Sequence, residues 1–189
     1  IMGTIFVDNL EPQSGTSLTL GASGDTVGLA SGASQTLAKA TPAFEVKMST
    51  AVNVSSGSWT KVVLDSEDLD TDGAFDSSTN YRFTVPSGEA GKYFLYSSLV
   101  CKNASNALYQ SQHAIYKNGS ALISQANEDS NSDTAFIQTT IHITADLAVG
   151  DYIELYGNPY SFSGQNSFFT NSGGTNRYCH LGGFKLIGI

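Results

Sequence analysis

The acidic run over residues 65–76 holds the side chains whose spacing comes nearest to a metal-binding pattern. Asp68, Asp70 and Asp72, followed by a glycine, match the opening of a calcium loop, in which alternate carboxylates converge on one ion. The closing ligand is missing, because Thr79 stands where a bidentate glutamate is required. The run therefore favours a solvated loop, with calcium binding as the weaker alternative, and no other cofactor is expected.

Residues that could carry catalysis are dispersed along the chain. The three histidines, His113, His142 and His180, lie far apart in sequence, so they could form a zinc site only through tertiary contacts. No serine lies in the glycine-flanked pattern of a nucleophile elbow. We therefore expect no enzymatic activity.

The charge balance limits the classes of partner. The 189 residues carry a net charge of −8, with only nine lysines and arginines scattered between the termini. Nucleic-acid binding needs clustered cations for phosphates, so no nucleic-acid partner is expected. No apolar run approaches the length of a membrane span, so no membrane insertion is expected.

Residues 80–99 predict two strands joined by a turn. Tyr81, Phe83 and Val85 alternate with polar residues, which is the period of a half-buried strand, and Pro86 ends that strand. The next strand, over residues 93–100, is almost entirely aromatic, aliphatic or serine, which indicates that both of its faces are covered. An antiparallel sheet with a covered outer face is therefore predicted.

In their order along the chain, several segments resemble the globular head family of complement, which is related to the tumour necrosis factor jelly roll. The matching segments are PAFEVKMS (42–49), WTKVVLD (59–65), GAFD (73–76), the strand pair of 80–99, HAIYKNGS (113–120), LAVGDYIELY (147–156) and GGFKLIGI (182–189). The resemblance implies an all-β fold, a jelly-roll β-sandwich of about ten antiparallel strands over residues 41–189. It also implies a homotrimer.

The resemblance assigns positions to four further residues. Phe94 and Tyr96 lie on the strand that lines the three-fold axis in the resembling families, so they are predicted to form the trimer interface. Cys101 and Cys179 fall on strands that are neighbours in those families. Two buried thiols are favoured for them, and a disulfide remains the alternative.

Residues 1–40 differ in composition from the remainder. They contain a short GTIFV strand and then isolated leucines and valines between glycines and serines. These apolar side chains are too few to bury much surface alone. A disordered linker is one interpretation; the spacing favours a short extended shaft or virion-docking segment, ordered by other copies or by other virion proteins. This segment also resembles the N-termini of tail-fibre proteins of marine bacteriophages, with Met2 as the expected initiator and Ile1 unexplained.

Together these features predict a trimeric head that binds the host cell surface as part of a phage fibre or appendage, located in the virion. The polar stretch 157–178 is the predicted receptor-contact loop for a surface glycan or protein. Its candidate contact residues are Tyr160, Phe162, Phe168 and Phe169. The alternatives are that these aromatics pack within the protein, that the chain is a purely structural capsid or tail component, or that it is a bacterial surface adhesin.

Overall fold

The computed structural model describes residues 22–26, 31, 41–128, 134–171 and 176–186. The chain divides into two units, Ile1–Lys39 and Ala40–Ile189. In the first unit, the described residues form a turn in which Oδ2 of Asp25 accepts a hydrogen bond from N of Ala22 at 2.7 Å. The remainder of the expected shaft or docking segment lies outside the described residues.

The described part of the second unit consists of strands and connecting turns, without a helix. Its thirteen strands are β1 (Ala43–Lys47), β2 (Val52–Val54), β3 (Thr60–Lys61), β4 (Ser66–Asp70), β5 (Phe75–Asp76), β6 (Arg82–Thr84), β7 (Gly91–Asn103), β8 (Leu108–Lys117), β9 (Ser120–Glu128), β10 (Phe136–Leu147), β11 (Tyr152–Ser161), β12 (Asn166–Phe168) and β13 (His180–Lys185). The same residues contain no helix that could span a membrane.

The strands form two antiparallel sheets packed as a sandwich. Sheet 1 has the order β2-β12-β7-β13-β1-β4, and β10 pairs with β7 along its other edge. Sheet 2 has the order β5-β6-β11-β8-β9, and β3 pairs with β11. The predicted all-β jelly roll is therefore confirmed.

The core lies between the two sheets and follows the two-residue period of the strands. Along β7, the inward side chains Tyr93, Leu95 and Leu99 are completely buried. The ring of Tyr93 lies 5.8 Å from that of Phe83 on β6 of the facing sheet, and the rings of Phe44 and Phe83 stack with centroids 4.3 Å apart. Such burial of large apolar side chains is the main favourable term in folding this domain.

Two stretches predicted as loops are partly strands. The acidic run contains β4, which pairs with β1 at the edge of sheet 1. The predicted receptor loop 157–178 contains the end of β11 and all of β12, so it is not one long loop. Gly157 lies within β11, and Leu99 and Phe168 occupy the space that a side chain at this position would fill.

Candidate interaction surfaces

The outer face of sheet 1 carries a cluster of aromatic rings, which we name the assembly face. In the strand register, Phe94 lies opposite Phe184 of β13, and Tyr96 lies opposite His142 of β10. The ring centroids of Phe94 are 5.6 Å from Phe184 and 6.2 Å from both Tyr96 and His142. Phe184 is 42% exposed, so apolar surface on this face faces outward. The assembly face is defined as Phe94, Tyr96, His142, His180 and Phe184.

The predicted interface residues Phe94 and Tyr96 thus belong to one surface. Both are half-buried within a single chain, whereas their neighbours Tyr93 and Leu95 on β7 are fully buried in the core. Burial raises the pKa of Tyr96, and the nearby Glu45 carboxylate, which accepts a hydrogen bond from it, raises that pKa further. Tyr96 therefore remains a neutral hydrogen-bond donor at the border of the face.

A group of ion pairs borders the assembly face on the side of β1 and β4. Arg177 contacts Glu45 at 2.9 Å and Asp68 at 3.0 Å, and Lys47 contacts Asp68 at 2.6 Å. The hydrogen bond from Lys47 is the largest cause that lowers the pKa of Asp68, and Arg177 lowers it further. Asp68 is therefore engaged with two cations.

The other carboxylates of the calcium alternative have their own partners. Asp70 accepts a hydrogen bond from the backbone N of Phe75 at 2.8 Å, and Asp72 accepts one from Oγ1 of Thr71 at 3.1 Å. Across the described residues, no three side chains of the His, Cys, Asp and Glu types are grouped to hold a metal ion. Asp68, Asp70 and Asp72 therefore do not form such a group.

A buried histidine joins the two sheets. His113 of β8 is fully buried; its Nε2 lies 2.9 Å from Oγ of Ser97 and its Nδ1 lies 3.1 Å from Oγ1 of Thr139. Burial lowers the pKa of His113 to about 3, and the charge of His180 lowers it as well. The structure places this histidine in the core and leaves His142 and His180 on the outer face of sheet 1, so the three do not meet in one site.

The outer face of sheet 2 carries a second set of aromatic side chains. The rings of Tyr116 and Tyr156 stack with centroids 4.1 Å apart, and Trp59 lies 6.1 Å from Tyr116. Further along, Tyr109 lies 6.0 Å from Tyr160 and 4.5 Å from Phe162. We name this set the aromatic strip: Trp59, Tyr109, Tyr116, Tyr156, Tyr160 and Phe162.

The four predicted receptor-contact residues are not brought together. Tyr160 and Phe162 lie in the aromatic strip, where Phe162 is 69% exposed. The prediction is wrong for Phe168, which is completely buried and packs against the position of Gly157. Phe169 lies on the side of sheet 1, between the rings of Phe136 at 5.0 Å and Tyr178 at 5.2 Å.

Phe169 forms one wall of a cavity on the outer side of sheet 1. The cavity has a volume of about 510 Å³ and is lined by Val100, Phe136, Gln138, Phe169, Asn171 and Tyr178. Lys102 lies 5.4 Å from the ring centroid of Phe136 and 5.2 Å from that of Phe169. Val100 and Gln138 face each other in the register of β7 and β10, so the cavity continues the outer face of that sheet.

Both cysteines are buried and free. Ser111 donates a hydrogen bond to Sγ of Cys101 at 3.2 Å, and Sγ of Cys179 donates to the carbonyl of Phe169 at 3.4 Å. Burial raises the pKa of each thiol to about 12. Both are therefore neutral thiols, which agrees with the alternative that the sequence favours.

Sequence reasoning missed most of the aromatic strip. Tyr152, Tyr156 and Tyr160 recur every fourth residue along β11, which places them on one face of a strand and was an available signal. Trp59, Tyr109 and Tyr116 come from other segments. The register between β8 and β11 brings two of them to the same surface, and no local pattern reveals that register.

Comparisons with known proteins identify the fold. No protein-family model matches the chain, and no curated protein matches it. The structure of murine APRIL at pH 5.0 is similar with a TM-score of 0.56 and 15% identity, covering 78% of this chain and 100% of that chain. The globular domain of zebrafish complement 1qA is similar with a TM-score of 0.50 and 15% identity, covering 77% of this chain and 97% of that chain. The structure of Eiger TNF from S. frugiperda is similar with a TM-score of 0.55 and 12% identity, covering 77% of this chain and 92% of that chain. The chain therefore has the jelly-roll fold of the tumour necrosis factor and complement heads, as predicted.

Proposed function

We propose that this protein is a homotrimeric jelly-roll head of a phage fibre or virion appendage that binds the host cell surface. The observation that carries the proposal is the position of two aromatic surfaces on opposite sheets. The assembly face lies outside sheet 1, and the aromatic strip lies outside sheet 2. Contacts between copies through one surface leave the other available to a target.

The assembly face suits contact with further copies of the same chain. Its exposed and half-buried rings would lose solvent contact on association, and apolar burial is worth about 25 cal/mol per Å². His142 and Tyr96 add polar atoms to the aromatic surface, as is common at protein interfaces. Association through this face accounts for the predicted interface role of Phe94 and Tyr96.

The aromatic strip suits recognition of a polar target. Tyrosine and tryptophan side chains combine a rigid apolar ring with a polar group, and both types are common in binding surfaces. Three equivalent strips on one trimer would bind a surface with repeated receptors more tightly than a single strip, because the second and third contacts are intramolecular. Weak individual contacts would then suffice for adsorption.

The virion assignment rests on the resemblance of residues 1–40 to the N-termini of phage fibre proteins. In this proposal the N-terminal segment contacts other virion proteins, while the jelly roll faces the host.

Immunogold labelling of intact particles tests the location, and adsorption of the purified protein to host cells tests binding. A protein that is present in virions but does not adsorb would be the structural component instead, and a protein absent from virions would be consistent with the adhesin alternative.

A further inference from the structure

A small cavity lies beside Trp59, one of the residues of the aromatic strip. It has a volume of about 100 Å³ and is lined by Trp59, Gln112, Ser124 and Gln125. The Trp59 side chain is 40% exposed, although the fold buries most of its large apolar side chains. Ser124 and Gln125 are neighbours on β9, and Gln125 pairs with the core residue His113, so its side chain lies on the other face. The cavity therefore combines one accessible aromatic ring with the amide of Gln112 and the hydroxyl of Ser124.

Asn158 fixes the orientation of Gln112 at the edge of this cavity. Asn158 is 1% exposed, and its Nδ2 donates to Oε1 of Gln112 at 2.9 Å and to the hydroxyl of Tyr160 at 3.2 Å. Because Oε1 of Gln112 is the acceptor in this bond, its two Nε2 hydrogens remain for other partners. The amide of Gln112 is thus held as a donor on the surface.

The burial of Asn158 is costly for the fold itself. Its Oδ1 has no hydrogen-bond partner within the part of the chain that the structure describes. An unpaired amide oxygen in a buried position lowers the stability of the fold, so an apolar residue at position 158 would give a more stable domain. Positioning Gln112 and Tyr160 accounts for an asparagine here.

The lining of the cavity is electrically neutral. The nearest charged groups on the outer face of β11 and β3 are Glu154 and Lys61, which form an ion pair with each other. Neither a phosphate nor a cationic group would therefore gain a charged partner from the lining. The lining suits an uncharged ligand that has an apolar face and several hydroxyl groups.

We propose that this cavity is a subsite for one ring of a neutral saccharide. The C–H face of the sugar packs on the indole of Trp59, and its hydroxyls bond with Nε2 of Gln112 and the hydroxyl of Ser124. This inference rests on the proposed function and specifies the chemical class of the host surface molecule.

Trp59 provides a direct test, because it is the single tryptophan of the chain. The full-length protein is titrated with glucose, galactose, mannose and N-acetylglucosamine, and then with neutral oligosaccharides of these sugars. The expected result is a saturable change in tryptophan emission and reduced quenching by acrylamide with at least one of them. Gln112→Ala should weaken binding by about tenfold, the loss of one useful hydrogen bond.

Two further variants control this experiment. Gln112→Met keeps the length of the side chain and removes its hydrogen bonds, so it should weaken binding even if Gln112→Ala fails to fold. Asn53→Ala removes an exposed amide on β2 of the other sheet and should bind like the parent protein. Melting curves recorded in parallel identify variants that are unfolded.

Two results would overturn the inference. They are an unchanged emission with every neutral sugar, and full binding by a folded Gln112→Met variant. Adsorption to host cells is measured on the same samples. A protein that adsorbs but does not respond to sugars would overturn the saccharide subsite and leave the proposed host-binding function standing.

Discussion

The ring of Tyr96 on β7 lies across the backbone of Gly182 on β13. The two residues are directly opposite in the strand register, and a Cβ at position 182 would overlap the ring. The missing side chain therefore allows the tyrosine to lie flat on the outer face of sheet 1, with its hydroxyl next to Glu45. This arrangement presents the ring to any chain that packs on the assembly face.

Tyr96→Asp should prevent assembly of the trimer. The new carboxylate would lie beside that of Glu45 and would be desolvated at the interface, and the lost burial of the ring removes about 1.5–3 kcal/mol per subunit. Light scattering and sedimentation should report a trimer for the parent protein and a monomer for the variant. Tyr109→Asp is the matched control on sheet 2 and should remain trimeric. Normal assembly of Tyr96→Asp would contradict the assignment of the interface.

Phe162→Ala and Phe168→Ala should have opposite effects. Phe162 is largely exposed in the aromatic strip, so its loss should reduce adsorption to host cells and change the melting temperature little. Phe168 is buried, so its loss should lower stability by about 3–5 kcal/mol through lost contacts and the cavity that remains. Adsorption assays and urea unfolding on both variants separate the two effects. Equal effects on stability would show that Phe162 is a structural residue.

The contrast between Phe168 and Phe169 shows what the sequence could and could not provide. Neighbouring residues on a strand point to opposite faces, so two consecutive phenylalanines in β12 and its extension cannot share one surface. The pattern NSFF stands in a stretch rich in glycine, serine and asparagine, which indicates a loop and hides the alternation of a strand. As a strand, the same residues place one phenylalanine in the core and the other on the outer face.

The fold itself was largely accessible from local patterns. Alternation in the stretch 81–85 and the dense apolar stretch 93–100 identified β6 and most of β7. The site around Gln112 was not accessible, because Trp59 directly precedes β3, whereas Gln112 and Asn158 belong to β8 and β11. Their proximity depends on the pairing of Gln112 with Asn158 in the β8–β11 ladder, which is a non-local property of the chain.

His113 should make stability depend on pH below about 6.5, the ordinary histidine value. The folded state keeps this imidazole neutral with a pKa of about 3, whereas the unfolded chain binds a proton near 6.5. The unfolded state therefore holds more protons between these values, and stability falls as the pH decreases. The loss at pH 5 is about 2 kcal/mol.

Urea unfolding at pH 7 and pH 5 checks this expectation. His113→Gln cannot be protonated and can still contact Ser97 and Thr139, so its stability should change less between the two pH values. His142→Gln, which alters an exposed histidine, should retain the pH dependence of the parent protein. An equal decrease in the parent and in His113→Gln would mean that other groups cause it.

Gly157→Ala should destabilise the sandwich although it adds a single methyl group. A Cβ at this position would lie 2.5 Å from Cδ2 of Leu99 and 2.6 Å from Cε1 of Phe168, so the core must shift, at a cost of about 1–3 kcal/mol. Phe168→Leu shortens the side chain that meets the new methyl group. The double variant should therefore be less destabilised than the sum of the single variants. Additive losses in urea unfolding would contradict this packing.

Removal of residues 1–39 should leave a folded, trimeric head that no longer enters virions. The chain divides between Lys39 and Ala40, and the hydrogen-bonded strands described above begin at β1, so the sandwich retains its core after truncation. The truncated protein should match the parent in light scattering and in adsorption to host cells. Complementation of a phage that lacks this gene should then give particles without the protein. Incorporation of the truncated head at the parent level would show that the N-terminal segment does not dock, and aggregation of the truncated head would show that the jelly roll depends on that segment to fold.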